Sequence, residues 1–158
     1  MGKLETIWSK RAHRGPMDPV QTATLEPDRG MRGSANYGGR RHVTIISVER
    51  WREMMAALAA DVDPAARRAN LLVSGIELMD THDRTLRVGD CLLRIGGETR
   101  PCERMEAACP GLQEVMSHRW GGGAWAVVVN GGTIRIGDEV SWVDAAERLC
   151  PEIAADRT

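Results

Sequence analysis

Cys102 stands in the run Glu98-Thr99-Arg100-Pro101-Cys102-Glu103-Arg104-Met105-Glu106, with Arg100 and Arg104 two residues away on either side. The thiolate is the nucleophilic and metal-binding form of cysteine, and nearby cations or a helix N-terminus stabilise it. Pro101 marks a strand-to-helix junction, so the position reads as a nucleophile or a metal ligand. Glu98, Glu103 and Glu106 act in the opposite direction, and a lone cysteine is more often a small buried apolar group. Both readings stand at this point. Cys91 falls in a strand pattern and Cys109 precedes Pro110, each without flanking cations, so both are expected to be structural.

A second chemistry-bearing stretch is Glu26 to Arg41, which holds arginines at 29, 32, 40 and 41 and glycines at 30, 33, 38 and 39. Backbone N–H groups freed by glycine, together with guanidinium forks, suit an anion such as phosphate. The alternative is a long mobile insertion. Arg67 and Arg68 join the anion site if the fold brings them near. Gly121-Gly122-Gly123 permits close backbone approach, either to a ligand or at the start of a strand. His42, His118, Glu98 and Glu106 with Cys102 make a mixed donor set that suits zinc or iron, although their spacing does not demand it. No nucleotide-binding loop, nucleophile elbow or His-Glu-x-x-His helix occurs.

The elements that must position these residues are mainly β. Leu4 to Trp8 and Val20 to Leu25 alternate as barrel strands. His42 to Val48 reads as a buried strand that feeds a helix with Trp51, Met54, Met55 and Leu58 at helical spacing. Asp63-Pro64 predicts an N-cap and a short helical turn through Arg68, followed by a strand over Asn70 to Val73 that Gly75 ends. Leu86-Arg87-Val88-Gly89-Asp90-Cys91-Leu92 is echoed by Ile134-Arg135-Ile136-Gly137-Asp138-Glu139-Val140, which predicts two equivalent corners of a closed sheet. Trp125 to Val129 and Thr133 to Ile136, around Asn130-Gly131-Gly132, predict a hairpin. Gly111 to Arg119 reads as helical, and Asp144 to Cys150 as a short closing helix before a frayed end. The expected organisation is one barrel domain over 1–143 and a helical tail over 144–158.

Composition narrows the partners. The chain has 158 residues, 21 basic against 22 acidic, so no bulk charge favours a nucleic acid. Without a run of about 18 apolar residues, or a signal-peptide pattern in the first ten residues, neither a membrane nor export is expected. The expected compartment is the cytoplasm, with the four cysteines as thiols. Phenylalanine is absent and tyrosine occurs once, so aliphatic residues, eight methionines and five tryptophans must fill the core.

Arg67 to Val73, Gly75 to Leu78, Leu86 to Asp90, Glu98 to Cys102, Gly111-Leu112 and Gly131 to Asp138, in that order and spacing, resemble the MOSC family, named after the C-terminal domain of molybdenum cofactor sulfurases. The Gly30 to Gly33 loop and the Arg41 to Ile46 strand also resemble it, so the likeness runs from about the third residue to Trp142. The resemblance implies a closed β-barrel of the pyruvate-kinase-barrel kind with a few short flanking helices. It also implies that the family cysteine is Cys102, which in relatives carries persulfide sulfur or coordinates molybdenum of the pterin cofactor. Gly30, Gly33, Arg40, Arg41, Arg67, Arg68, Asn70 and Arg100 would then receive the anionic cofactor, molybdopterin. Where the family usually has Gly-x-x-Gly-Asp, Ser34 follows Gly33. No pyridoxal-dependent desulfurase domain lies in these residues, so a sulfur-donor protein is an expected partner, besides a small ligand with an anionic group. Two other classes stay open: a zinc- or iron-dependent hydrolase or lyase, and a non-catalytic binding module.

Overall fold

The computed structural model describes residues 2–12 and 15–143. Strands β1 (Gly2–Lys10), β5 (Val43–Ser47), β6 (Leu71–Ser74), β7 (Thr85–Val88), β8 (Cys91–Glu98), β9 (Ala124–Asn130) and β11 (Glu139–Val143) form a ring in the order β11-β7-β8-β9-β5-β6-β1. Pairing of β1 with β11 closes it into a barrel, as expected, and the barrel has seven strands. β2 (Met17–Val20) adds to β1 from outside the ring. A separate sheet runs β10 (Gly132–Arg135), β3 (Thr22–Glu26), β4 (Gly30–Met31).

Alternation explains the barrel. Along β8 the side chains of Cys91, Leu93 and Ile95 are buried while Leu92 and Arg94 are not, the period of two that a half-buried strand requires. Leu4, Val43, Ile45, Leu71, Val73, Leu86, Val88, Val128 and Val140 belong to the same cluster. β5 and β6 are the parallel pair, because the chain between them crosses over through helix α1 (Val48–Leu58) and a 3-10 turn over Pro64–Arg67. Ser47 caps α1 by accepting from the Arg50 N–H at 3.2 Å. Trp51, Met54 and Met55 of α1 pack with Met105 of α2 (Glu103–Ala108) and with Leu112 and Met116 of α3 (Leu112–Met116), forming a helical annex with its own core.

Three expectations change. The strand expected over Val20 to Leu25 is two strands in two sheets, broken at Gln21, and β3 is not part of the barrel. The expected hairpin does not form: β9 pairs with β8 and β5, while β10 leaves to pair with β3. The local turn signal is overridden by barrel pairing on both sides of β9. The two Gly-Asp echoes are likewise not equivalent corners. The first joins paired neighbours β7 and β8, whereas the second carries the chain from the small sheet into the barrel. They do meet each other, since Gly89 N–H donates to Glu139 O at 3.0 Å and a side chain at Gly89 would strike Asp138. The closing helix expected over Asp144 to Cys150 lies outside the described residues.

Candidate functional site

The turn that follows α1 places the first two cations. Asp63 Oδ1 accepts from the Ala65 N–H at 2.8 Å and Pro64 opens the turn, as its sequence predicts. The turn ends on Arg68 in the left-handed region, φ 64°, which sets Arg67 and Arg68 side by side before β6. Arg67 then reaches across to the segment that carries Cys102: its Nε donates to Gly122 O at 3.0 Å, and its Nη2 to Thr99 O at 3.2 Å and Arg100 O at 3.3 Å. Glycine is required at 122, because any side chain there would overlap the Thr99 carbonyl. The glycine triplet therefore serves tight backbone packing at the start of β9.

Cys102 is exposed, in extended backbone immediately before α2, and its side chain makes no capping bond. It lines a pocket of about 170 Å3 together with Lys10, Thr44, Arg67, Arg68, Ala69, Thr99, Arg104, Met105 and Gly122. Burial lowers the pKa of Arg67 from its ordinary value, and the negative charge of Cys102 works against that shift. Burial also lowers the pKa of Lys10, with the positive charges of Arg68, Arg104 and Arg67 adding to the effect. The pocket is thus a focus of positive charge around an exposed thiol.

Lys10 was not among the candidates, nor were Thr44 and Thr99. Lys10 sits at the end of an alternating strand, and no motif marks it. What fixes it is the loop singled out for its glycines and arginines. The Lys10 N–H donates to Ser34 Oγ at 3.1 Å, and the Ala35 N–H donates to Lys10 O at 2.8 Å. Ser34, the departure from the family pattern, is buried and holds this strand end.

The other predicted residues lie elsewhere. Gly30 is buried, and a Cβ on it would stand 2.8 Å from His42 O, so its glycine serves loop packing. Gly33 has φ 85° with open space beside it. Arg40 and Arg41 are exposed, Arg41 lying 5.3 Å over the Trp125 ring. Neither is in the pocket lining. Arg32 is neutralised by Glu26, whose carboxyl is held below the usual range by the Tyr37 hydroxyl and then by Arg32. Asn70 is buried, with its amide donating to Trp8 O at 3.3 Å and its Oδ1 accepting from the Thr44 N–H at 3.1 Å. It ties β1, β5 and β6 together behind the pocket. Arg100 is exposed beside Glu98 at 3.7 Å and contributes only its carbonyl to Arg67.

The donor set for zinc or iron is dispersed. His42 is buried, its Nδ1 accepting from the Val128 N–H at 3.0 Å, and burial lowers its pKa. His118 pairs with Glu114 at 2.9 Å on α3. Glu106 accepts from the Gly111 N–H at 2.9 Å and so orders the start of α3. Among the described residues no three of His, Cys, Asp and Glu are grouped to hold a metal. That set does not fit a protein-held zinc or iron ion.

The MOSC domain sequence profile matches residues 32–141. The chain belongs to the MOSC family. Among solved structures, this MOSC chain is similar to the YuaD protein from Bacillus subtilis, with TM-score 0.76 and 19% identity over 89% of this chain and 94% of that one. YiiM from Geobacillus stearothermophilus gives TM-score 0.74 and 14% identity over 99% and 85% of the respective chains. YiiM from Escherichia coli gives 0.65 and 15% over 96% and 77%. At these identities the likeness is one of fold. No curated protein sequence matches the chain. No helix among the described residues is long and apolar enough to cross a membrane.

Proposed function

We propose that this MOSC protein handles sulfur or a molybdenum cofactor through Cys102, acting in the cytoplasm with a sulfur-donor protein as partner. The observation that carries the reading is one exposed thiol opening on a pocket whose lining bears four cationic side chains, Lys10, Arg67, Arg68 and Arg104, and no carboxylate. A thiolate in such surroundings can accept sulfur as a persulfide or ligate a soft metal, and the cations favour the anionic form of whatever it carries.

The donor chemistry fits molybdopterin in part. Cys102 would supply a thiolate ligand to its metal, and Lys10, Arg67, Arg68 and Arg104 would face its anionic groups. The pocket holds only an end of such a molecule, since sites that enclose an organic cofactor span roughly 300–1,000 Å3. A molybdenum centre, when bound, supplies two-electron redox chemistry. Arg67 keeps the 99–102 segment against Gly122, so the thiol stays at the pocket mouth.

The test is the cargo of protein purified gently from a molybdenum-sufficient host, measured by elemental mass spectrometry and as cyanide-releasable sulfur. Molybdenum or labile sulfur present in the wild type and lost in Cys102→Ala is the expected result. A wild-type protein that carries neither sinks the proposal.

A further inference from the structure

The pocket at Cys102 is small and of one sign. Beyond its four cations it is lined by Thr99, whose Oγ1 is buried without a hydrogen-bond partner among the described residues. At about 170 Å3 it lies below the range of sites that enclose organic ligands. Small anions are the species this cavity concentrates, and only those with an electrophilic atom can react with the thiol. On the reading of Cys102 as a sulfur carrier, we propose that the pocket takes a small oxyanion bearing a transferable sulfane sulfur, thiosulfate being the simplest, and that Lys10 holds its sulfonate end.

Lys10 is singled out by what the other cations are doing. Arg67 is committed to the carbonyls of Gly122, Thr99 and Arg100, and Arg68 donates to the carbonyls of Gly15 and Ala12. The Lys10 ammonium donates to no oxygen among the described residues, while its own backbone is clamped on both sides by Ser34 and Ala35. Ser34 is accordingly a positioning residue: it fixes the strand end from which the ammonium projects. Arg104, exposed on α2, supplies a second cation that has no ion pair among the described residues.

The step balances without an added oxidant or reductant. The Cys102 thiolate attacks the outer sulfur of thiosulfate, the bond between outer and sulfonate sulfur breaks, and its electron pair leaves with sulfite. Cys102 becomes a persulfide anion. One thiolate and one dianion give one persulfide anion and one dianion. The cations hold the oxygens throughout, so they also stabilise the departing sulfite.

The experiment mixes the full-length protein with thiosulfate and follows sulfite release together with the mass of Cys102, which should gain one sulfur atom. Alkylation of Cys102 by uncharged iodoacetamide runs in parallel, and the ratio of the two rates cancels any change in thiolate population. Lys10→Met should lower that ratio on the order of tenfold, the loss of one charge-assisted contact, while Lys10→Arg retains it. Ser34→Ala should fall between. On the unaltered protein, sulfate should slow the thiosulfate reaction and leave alkylation unchanged, a result that does not depend on any variant folding. The proposal is overturned if Cys102 is alkylated but takes no sulfur from thiosulfate, or if sulfate or Lys10→Met leaves the ratio unchanged. Cys102-dependent molybdenum or labile sulfur in the cellular protein would then still support the broader reading, which falls only on its own cargo measurement.

Discussion

The barrel and the helical annex are filled with different materials. Inside the barrel, leucine, isoleucine and valine from seven strands are fully or almost fully buried, with stiff side chains held at fixed register. The annex core consists of Met54, Met55, Met105 and Met116 with Trp51, Cys109 and Leu112. Methionine is unbranched and adapts to irregular gaps. Cys102 stands where one material gives way to the other, after the rigid β8 and before α2. The cations Lys10, Arg67 and Arg68 hang from the barrel side, while Cys102 and Arg104 lead into the softer side. The difference teaches that the pocket joins a cationic wall borne by the aliphatic barrel to a thiol that leads into the methionine-rich annex.

The comparison breaks most sharply at Leu93, which is wholly buried in the barrel. Leu93→Ala should cost about 2–5 kcal/mol in global stability, read from urea unfolding. Met116→Leu in the annex should cost less than about 1.5 kcal/mol, its effect showing as altered amide exchange over residues 103–116. Equal global losses would refute the contrast. Arg67→Ala comes next: it leaves the carbonyls of Gly122, Thr99 and Arg100 without their donor, at about 1–3 kcal/mol, and should change the rate at which iodoacetamide alkylates Cys102. Ser47→Ala removes the cap of α1 and should cost about 1 kcal/mol, detectable as a lower Tm with Cys102 reactivity unaltered.

The smallest effect expected is one of titration in the barrel wall. His42 has a pKa lowered by burial below its ordinary 6.5, so below that pH the unfolded chain binds a proton that the folded chain refuses. Its contribution to stability is present above 6.5 and is lost as pH falls through the lowered value. His42→Gln should flatten the fall of Tm on mild acidification. An unchanged slope would show that His42 takes up its proton at the same pH in the folded and the unfolded chain, against the lowering by burial.

Much of this was legible in the sequence because short-range rules decided it. The alternation of β1 and β8, the Asp63-Pro64 turn and the helical spacing of Trp51, Met54 and Met55 are local signals, and each produced its element. The Asn130-Gly131-Gly132 turn was misread as a hairpin because pairing partners are chosen by barrel closure, which no local window contains. At the site, Cys102 was marked by its flanking arginines with both readings open, and the family resemblance then singled it out together with Arg67 and Arg68. Lys10 could not be picked out, because its meaning comes from Ser34, 24 residues away, and from a pocket built by five separate segments. The arginine-rich loop was noticed for its side chains, yet two of its backbone and hydroxyl atoms matter most at the pocket.

The junction of β1 with β11 also orders events during synthesis. Its register contains Gly2 with Val140 and Lys3 with Glu139, strengthened by Leu4 N–H to Asp138 O at 2.9 Å and Gly137 N–H to Leu4 O at 2.8 Å. The earliest strand of the barrel is therefore matched by its latest. Until residues 137–143 emerge, the nascent chain is a curled sheet with the β11-facing edge of β1 bare, a template for another chain. A ribosome stalled before that point holds six barrel strands with an open seam, and one that passes it holds a closed ring.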